Sequence, residues 1–382
     1  MNADILHSGF DGLKFTVETD IPAELRTALA EAKALAIQTN AETLLEFGPV
    51  ALTVRRTGGS AFSAHTGEYG AEWYFLDPEN RPANNPGITV DFRAFLLATG
   101  GLDAAEKHFR DCMDAFGIRY AEHLLRVTRV DYAIDFLAPW FEPDREALVV
   151  PPGTRVQEHT GFDETETHAI GARVTGLRAG AVANRQLVIY DKRQEVIQKG
   201  KMGWLTIWND ARTQLNCPPL DLSDRLASQV WRFELRMGSK QLRNRWEMRS
   251  WRDLRDMVGD AYTEFCERIR YTCPTTDSDR ARWPTHNLWR DVASVIANDL
   301  QENCSGVLPS EVIETNRAEH IRMLDRQILR LFVSRAAASE VQPGEFQDFL
   351  DSHIETLKRL SEEHPTPLPE RLSKAAARYW FK

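Results

Sequence analysis

The chain has 382 residues, of which 42% are hydrophobic, 27% charged and 9% aromatic, with 22 Gly and 18 Pro. That is an ordinary globular composition with length for two or three domains, and it excludes fibrous, wholly disordered and small stapled classes. The formal net charge of -9 is unevenly spread: residues 1–150 carry 13 basic against 23 acidic side chains, residues 151–290 carry 23 against 18, and residues 291–382 carry 11 against 15. A basic middle third leaves a phosphate-bearing partner open, because screening over ~8 Å at physiological salt weakens the distant acids.

No apolar run reaches the ~18 residues of a bilayer span, and the opening MNADILHSGF lacks the flank and apolar stretch of a signal peptide. A cytoplasmic protein with no membrane partner is expected. The five cysteines, Cys112, Cys217, Cys266, Cys273 and Cys304, show no C-x-x-C spacing and read as scattered reduced thiols.

In chain order, Leu13, Phe15 and Val17 alternate as a half-buried strand over 12–18, and Pro22 opens an Ala- and Leu-rich helix. Strands are predicted at 49–56, 72–77 and 88–94, followed by an amphipathic helix in LDAAEKHFRDCMDAFG. The segment LLRVTRVDYAIDF, 124–136, is the strongest strand pattern in the chain. Residues 139–168 read as a long connection or insertion with short strands, in which His159 and His168 flank an acidic loop. Two short strands around an Arg-Ala-Gly turn then lead into a helix at about Asp191. A strand at 228–237 runs into a basic helix, KQLRNRWEMRSWRDLRDMVGD. From about 290 the pattern is helical, with a boundary near 290–315, a linker in CSGVLPSEV, and a proline interruption in HPTPLPER. The expected class is α+β: a mixed or antiparallel sheet domain over 1–290 and a C-terminal helical region over 291–382.

Three acidic positions on separate strands carry the chemical signal. In TRVDYAIDF, Asp131 and Asp135 are four apart and share a strand face with Arg129. IYDKRQE holds Tyr190, Asp191 and Lys192, and WRFELR holds Glu234 between Arg232 and Arg236. Carboxylates in apolar strands are costly unless paired or metal-bound, and an oxygen cluster suits Mg²⁺ or Mn²⁺. Cross-strand ion pairs with Arg129, Arg232 or Arg236 are the competing reading. A second signal lies at 236–255, where Arg236, Lys240, Arg243, Arg245, Arg249, Arg252 and Arg255 face only Glu247 and Asp253. Interleaved Trp246 and Trp251 favour nucleic acid over a plain solvated face. There is no H-x-H and no G-x-x-x-x-G-K-[ST], so ATP-driven unwinding would fall to a host helicase.

Taken together, VTRVDYAIDF, VIYDKRQE and VWRFELR, with the Gly/Arg-rich GLRAG before the second, resemble the replication initiation factor family. This is the trans-acting Rep family of rolling-circle plasmid and phage initiators and related conjugative relaxases, and the likeness covers about residues 50–260. It implies a sheet-based catalytic domain that binds double-stranded origin DNA, melts it and nicks one strand. A tyrosine would attack the phosphodiester, leaving a 5'-phosphotyrosine and a free 3'-hydroxyl. Carried onto this chain, the resemblance makes Asp131 and Glu234 the first metal-side acids, Asp135 and Asp191 the second, and Lys192, Arg232 and Arg236 phosphate holders.

The family's plasmid members place the nucleophile in the helix soon after the Glu motif, but Gly238–Asp260 contains no tyrosine. Tyr262 is therefore the first candidate, ahead of Tyr190 and Tyr271. A non-catalytic origin-binding protein and a conjugative relaxase are the alternatives. The C-terminal helices, with Ile328, Leu329, Leu331 and Phe332, are expected to dock, to dimerise into a homodimer, or to contact a host replication protein.

Overall fold

The computed structural model describes residues 3–58, 61–76, 87–159, 174–302 and 310–378. The opening elements are β1 (Asp4–Glu18), α1 (Ala23–Thr39), β2 (Thr43–Phe47), β3 (Val50–Val54), β4 (Ala61–His65), β5 (Ala71–Leu76), β6 (Gly87–Phe92) and α2 (Ala94–Ala115). Then come β7 (Leu125–Leu137), β8 (Leu148–Val149), β9 (Val156–His159), β10 (Gly176–Gly180), β11 (Arg185–Asp191), α3 (Lys192–Lys199), α4 (Gly203–Gln214) and β12 (Val230–Gly238). The remainder is α5 (Ser239–Asn244), α6 (Trp251–Arg268), β13 (Arg270–Tyr271), α7 (Asn287–Glu302), α8 (Ser310–Ala338), α9 (Phe346–Glu362) and α10 (Leu368–Arg378). The class is α+β with antiparallel sheet and a helical C-terminal region, as expected.

The chain divides into two compact units, one of Met1–Val17, Asp91–Lys107 and Ala121–Ile313, the other of Glu18–Val90, His108–Tyr120 and Glu314–Lys382. The single span expected over 1–290 is thus shared between both, because the chain leaves the first unit after Val17 and re-enters it at Asp91. In the second unit β2, β3, β4 and β5 pair antiparallel in sequence order. Its core stacks Trp73 on Phe109 with centroids 6.2 Å apart and sets Phe116 edge-on to Trp73 at 5.3 Å. Sequence pattern alone missed β2 and β4.

The first unit's sheet runs β1–β7–β12–β11–β10–β9, antiparallel at each neighbour. Side-chain alternation gives this sheet two chemically distinct faces. Val130, Tyr132, Ile134 and Phe136 of β7 and Trp231, Phe233, Leu235 and Met237 of β12 form a fully apolar, buried face. Helices α6 and α7 cover it: Tyr262 lies 5.8 Å from Tyr132, Trp289 lies 6.5 Å from Phe233, and the Tyr132 hydroxyl donates to Asp299 Oδ2 at 2.9 Å. Arg129, Asp131 and Asp135 of β7 and Arg232, Glu234 and Arg236 of β12 point the other way.

Two local expectations are corrected. GLRAG is not a turn but the strand β10, and the hairpin turns over residues 181–184 instead. The long basic helix is two helices. Glu247 takes a left-handed φ of 51°, and Ser250 starts α6 afresh with a capping box: its Oγ accepts from Asp253 N at 3.2 Å while Asp253 Oδ2 accepts from Ser250 N at 3.0 Å.

At the C-terminus, Ile328, Leu329 and Leu331 of α8 are 50%, 54% and 54% exposed. Phe332 sits half-buried, edge-on to the His353 ring of α9 at 5.3 Å. Among the described residues Cys112, Cys217, Cys266 and Cys273 are free thiols, and no helix is long and apolar enough to cross a membrane. His168, Cys304 and most of the CSGVLPSEV linker lie outside the described residues.

Candidate functional site

The three sequence motifs fold onto three adjacent strands, β7, β12 and β11. Register then stacks their polar side chains in rows across the sheet. One row reads Gly12, Asp131, Arg236, Gln186, Gly180; the next reads Gly9, Ala133, Glu234, Val188, Arg178, Gln157; the third reads His7, Asp135, Arg232, Tyr190, Gly176, His159.

The first two rows hold a pair of recessed carboxylates under half-buried arginines. Asp131 and Glu234 are 1% and 3% exposed. Arg129 Nε donates to Asp131 Oδ1 at 3.0 Å, and its other end also bonds the same carboxylate. Arg236 Nε donates to Glu234 Oε1 at 2.7 Å and is steadied by Gln186 Oε1 at 3.2 Å. Gly12 makes room for Asp131, since a Cβ there would stand 2.6 Å from Asp131 Oδ2. Burial, then the negative charge of Glu234, push the Asp131 carboxyl up to about 7, although Arg129 pulls it down.

The third row is sealed. Arg232 gives Nε and one terminal nitrogen to Asp135 at 2.6 and 2.8 Å, and the other terminal nitrogen to Asp11 Oδ1 at 2.5 Å. A bulge between Phe10 and Gly12 in the β1–β7 register is what brings Asp11 to it. Helix α4 roofs the cluster: Trp208 Nε1 donates to Asp135 Oδ2 at 2.9 Å, and the Trp204 ring lies 4.1 Å from the Arg232 guanidinium and 5.1 Å from His7. Burial holds His7 down to about 4, against the raising influence of Asp135.

Tyr190 stands at the margin of this row, half-buried, with Lys192 Nζ donating to its hydroxyl at 3.5 Å. Lys192 also bonds Glu195 at 2.5 Å and sits 4.8 Å from the Trp204 ring centre. Burial, then Arg232, lower the Lys192 ammonium, while burial and the charges of Glu195 and Glu234 raise the Tyr190 phenol.

The structure therefore brings Asp131, Glu234, Arg236, Tyr190 and Lys192 to one sheet face and sends several expected site residues elsewhere. Asp135 and Arg232 are wholly buried, bonded to each other and to Trp208 and Asp11, which corrects their roles as metal ligand and phosphate holder. Asp191 points off the opposite face as the N-cap of α3, accepting from Gln194 N at 2.9 Å. Tyr262 is buried on the apolar side, its hydroxyl donating to Val130 O at 2.9 Å and to Leu235 O at 3.3 Å. It does not reach the carboxylates. Tyr271 is buried as well, with Asp144 N donating to its oxygen at 2.8 Å. Trp251 is core, stacked on Phe15 at 4.3 Å, whereas Trp246 is half-buried. Lys240, Arg243, Arg245, Arg249 and Arg252 are exposed; Arg255 is tied to Asp103 and Glu106.

Sequence reasoning overlooked Asp11, His7, Trp204 and Trp208. The two tryptophans, four apart in GWLTIWND, carried a helical-face signal that went unread.

Among the described residues no group of three or more His, Cys, Asp or Glu side chains converges as a metal site. Mg²⁺ nevertheless binds through one or two carboxylates plus waters and substrate phosphates. Asp131, whose charge burial and Glu234 make costly, and Glu234 would be the carboxylates to hold such an ion in place of their arginines.

No family model matches the chain, and no curated protein matches it. Among solved structures it is similar to the rolling circle replication initiator protein from Geobacillus stearothermophilus, with 14% identity, a TM-score of 0.36, and coverage of 75% of this chain and 95% of that one.

Proposed function

We propose that the chain is a DNA-binding protein of the replication-initiation type, acting on a duplex origin and its melted strand. The observation that carries this reading is the convergence of the three motifs on adjacent strands, with Asp131, Glu234, Arg236 and Tyr190 on one polar face. In its catalytic form the reading is strand nicking and joining. Tyr190 would attack the phosphorus through its phenolic oxygen, forming a 5'-phosphotyrosyl bond and releasing a 3'-hydroxyl that takes up the proton. Lys192, 3.5 Å from the phenol, would steady the attacking oxygen. Arg236 would hold a non-bridging phosphate oxygen. Asp131 and Glu234 would hold Mg²⁺ or Mn²⁺, which supplies charge neutralisation when bound.

The engagement of both carboxylates by Arg129 and Arg236 favours a second reading, a non-catalytic origin binder in which these residues are ion pairs. Purified protein incubated with supercoiled cognate plasmid and Mn²⁺ separates the two. Open circles and a protein-bound 5' end, both lost in Tyr190→Phe and kept in Tyr262→Phe, support nicking. Origin binding without either product supports the second reading. Calorimetric titration of Mn²⁺ checks the carboxylates independently: Asp131→Ala and Glu234→Ala should each lose the metal heat.

A further inference from the structure

The polar face carries a line of cations that the motifs alone do not reveal. Arg129 on β7, Arg236 on β12 and Arg178 on β10 all point from the same face, each one register row below the last. Arg178 enters this line because GLRAG is a strand. Had it been a turn, its side chain would have no fixed face. From β7 to β10 the line crosses three interstrand steps, about 14 Å at ~4.8 Å each. Arg129 and Arg236 are 29% and 21% exposed, standing above carboxylates that are nearly buried. The guanidinium groups of this line thus lie outward of the carboxylates that two of them bond.

We infer that one strand of DNA crosses the sheet along this diagonal, its backbone phosphates held by Arg129, Arg236 and Arg178. The inference deepens the DNA-binding reading and rests on it. A line of cations one residue deep matches one phosphate backbone. A duplex offers two backbones, separated by a groove of about 6 or 12 Å, and would leave one of them without partners here. The half-buried Tyr190 ring projects from the same face between Arg232 and Gly176, where an unpaired base of that strand can stack. Arg129 and Arg236 then exchange carboxylate for phosphate as the strand arrives, a trade between charge-assisted bonds of like kind.

The test is fluorescence anisotropy of a single-stranded oligonucleotide over a salt series. Arg178→Ala should flatten the log affinity against log salt slope by about 0.7, the share of one phosphate contact on a single strand. Arg178→Lys keeps the charge and should restore the parent slope, and Lys358→Ala, on α9, should leave it unchanged. An Arg178→Ala protein with the parent's circular dichroism and the parent's slope would overturn the diagonal while leaving DNA binding intact. Parent protein that binds origin duplex but no single strand overturns it too. Failure to bind either overturns both this inference and the function it rests on.

Discussion

Asp131 and Asp135 lie four residues apart on one strand and project from the same face, yet they live in opposite circumstances. Asp135 is bound by two nitrogens of Arg232 and by Trp208 and is wholly buried under the α4 tryptophans. Asp131 is also held by two nitrogens of one arginine, but that Arg129 is 29% exposed, and the acidic neighbour Glu234 comes with Arg236 of its own. The difference comes from what covers each row rather than from strand spacing: α4 closes one end of the face and leaves the other reachable. A carboxylate enclosed on every side has nothing left for a ligand, whereas one whose arginine stands partly exposed can still be reached by one.

The largest test of that contrast is Arg232→Ala. It strands Asp135 and Asp11 and should cost about 3–5 kcal/mol in denaturant unfolding, as removal of one partner from a buried pair does. A cost under 1 kcal/mol would mean the row is not sealed. Trp208→Phe keeps most of the packing and removes one bond to the buried carboxylate, for an expected loss of about 1.5–3 kcal/mol.

Asp131→Asn should act with the opposite sign. Because burial and Glu234 raise the folded carboxyl to about 7, above its unfolded value, the folded state holds the extra proton. The parent therefore loses stability through this group as pH rises from about 4 to 7, and keeps it below that range. The Asn variant escapes the loss and should be more stable than the parent at pH 8 by on the order of 2 kcal/mol, with little difference at pH 4.5. Paired unfolding curves at the two pH values cancel the opposing titration of His7. The smallest effect belongs to Arg252→Ala, 85% exposed and paired with Asp256, which should alter stability by less than about 0.5 kcal/mol.

Much of this site was legible in the amino-acid order. Period-two alternation in VTRVDYAIDF and VWRFELR put Asp131, Asp135, Glu234 and their arginines on definite faces before any partner strand was known. What could not be read is which face each helix covers, since that is settled by distant segments. Tyr262 illustrates it: its position after the Glu strand suits a nucleophile, but α6 packs on the apolar side. The segment KQLRNRWEMRSWRDLRDMVGD read as one basic helix, whereas Glu247 and the Ser250 capping box break it and turn Trp251 into the core. The division of the first 290 residues between two units was hidden for the same reason. Sheet neighbours there are set by long-range pairing, which composition and local period do not encode.

The hydroxyl of Tyr262 has a use other than that of a nucleophile. Its single proton is shared between the carbonyls of Val130 and Leu235, which belong to the two neighbouring strands that carry Asp131 and Glu234. A slip of one residue between those strands would swing every side chain of one of them to the other face, burying a carboxylate among the aromatic rings under α6. Tyr262 thus works as an alignment pin, reaching through from the dry side to fix how the two acidic strands are indexed against each other on the wet side.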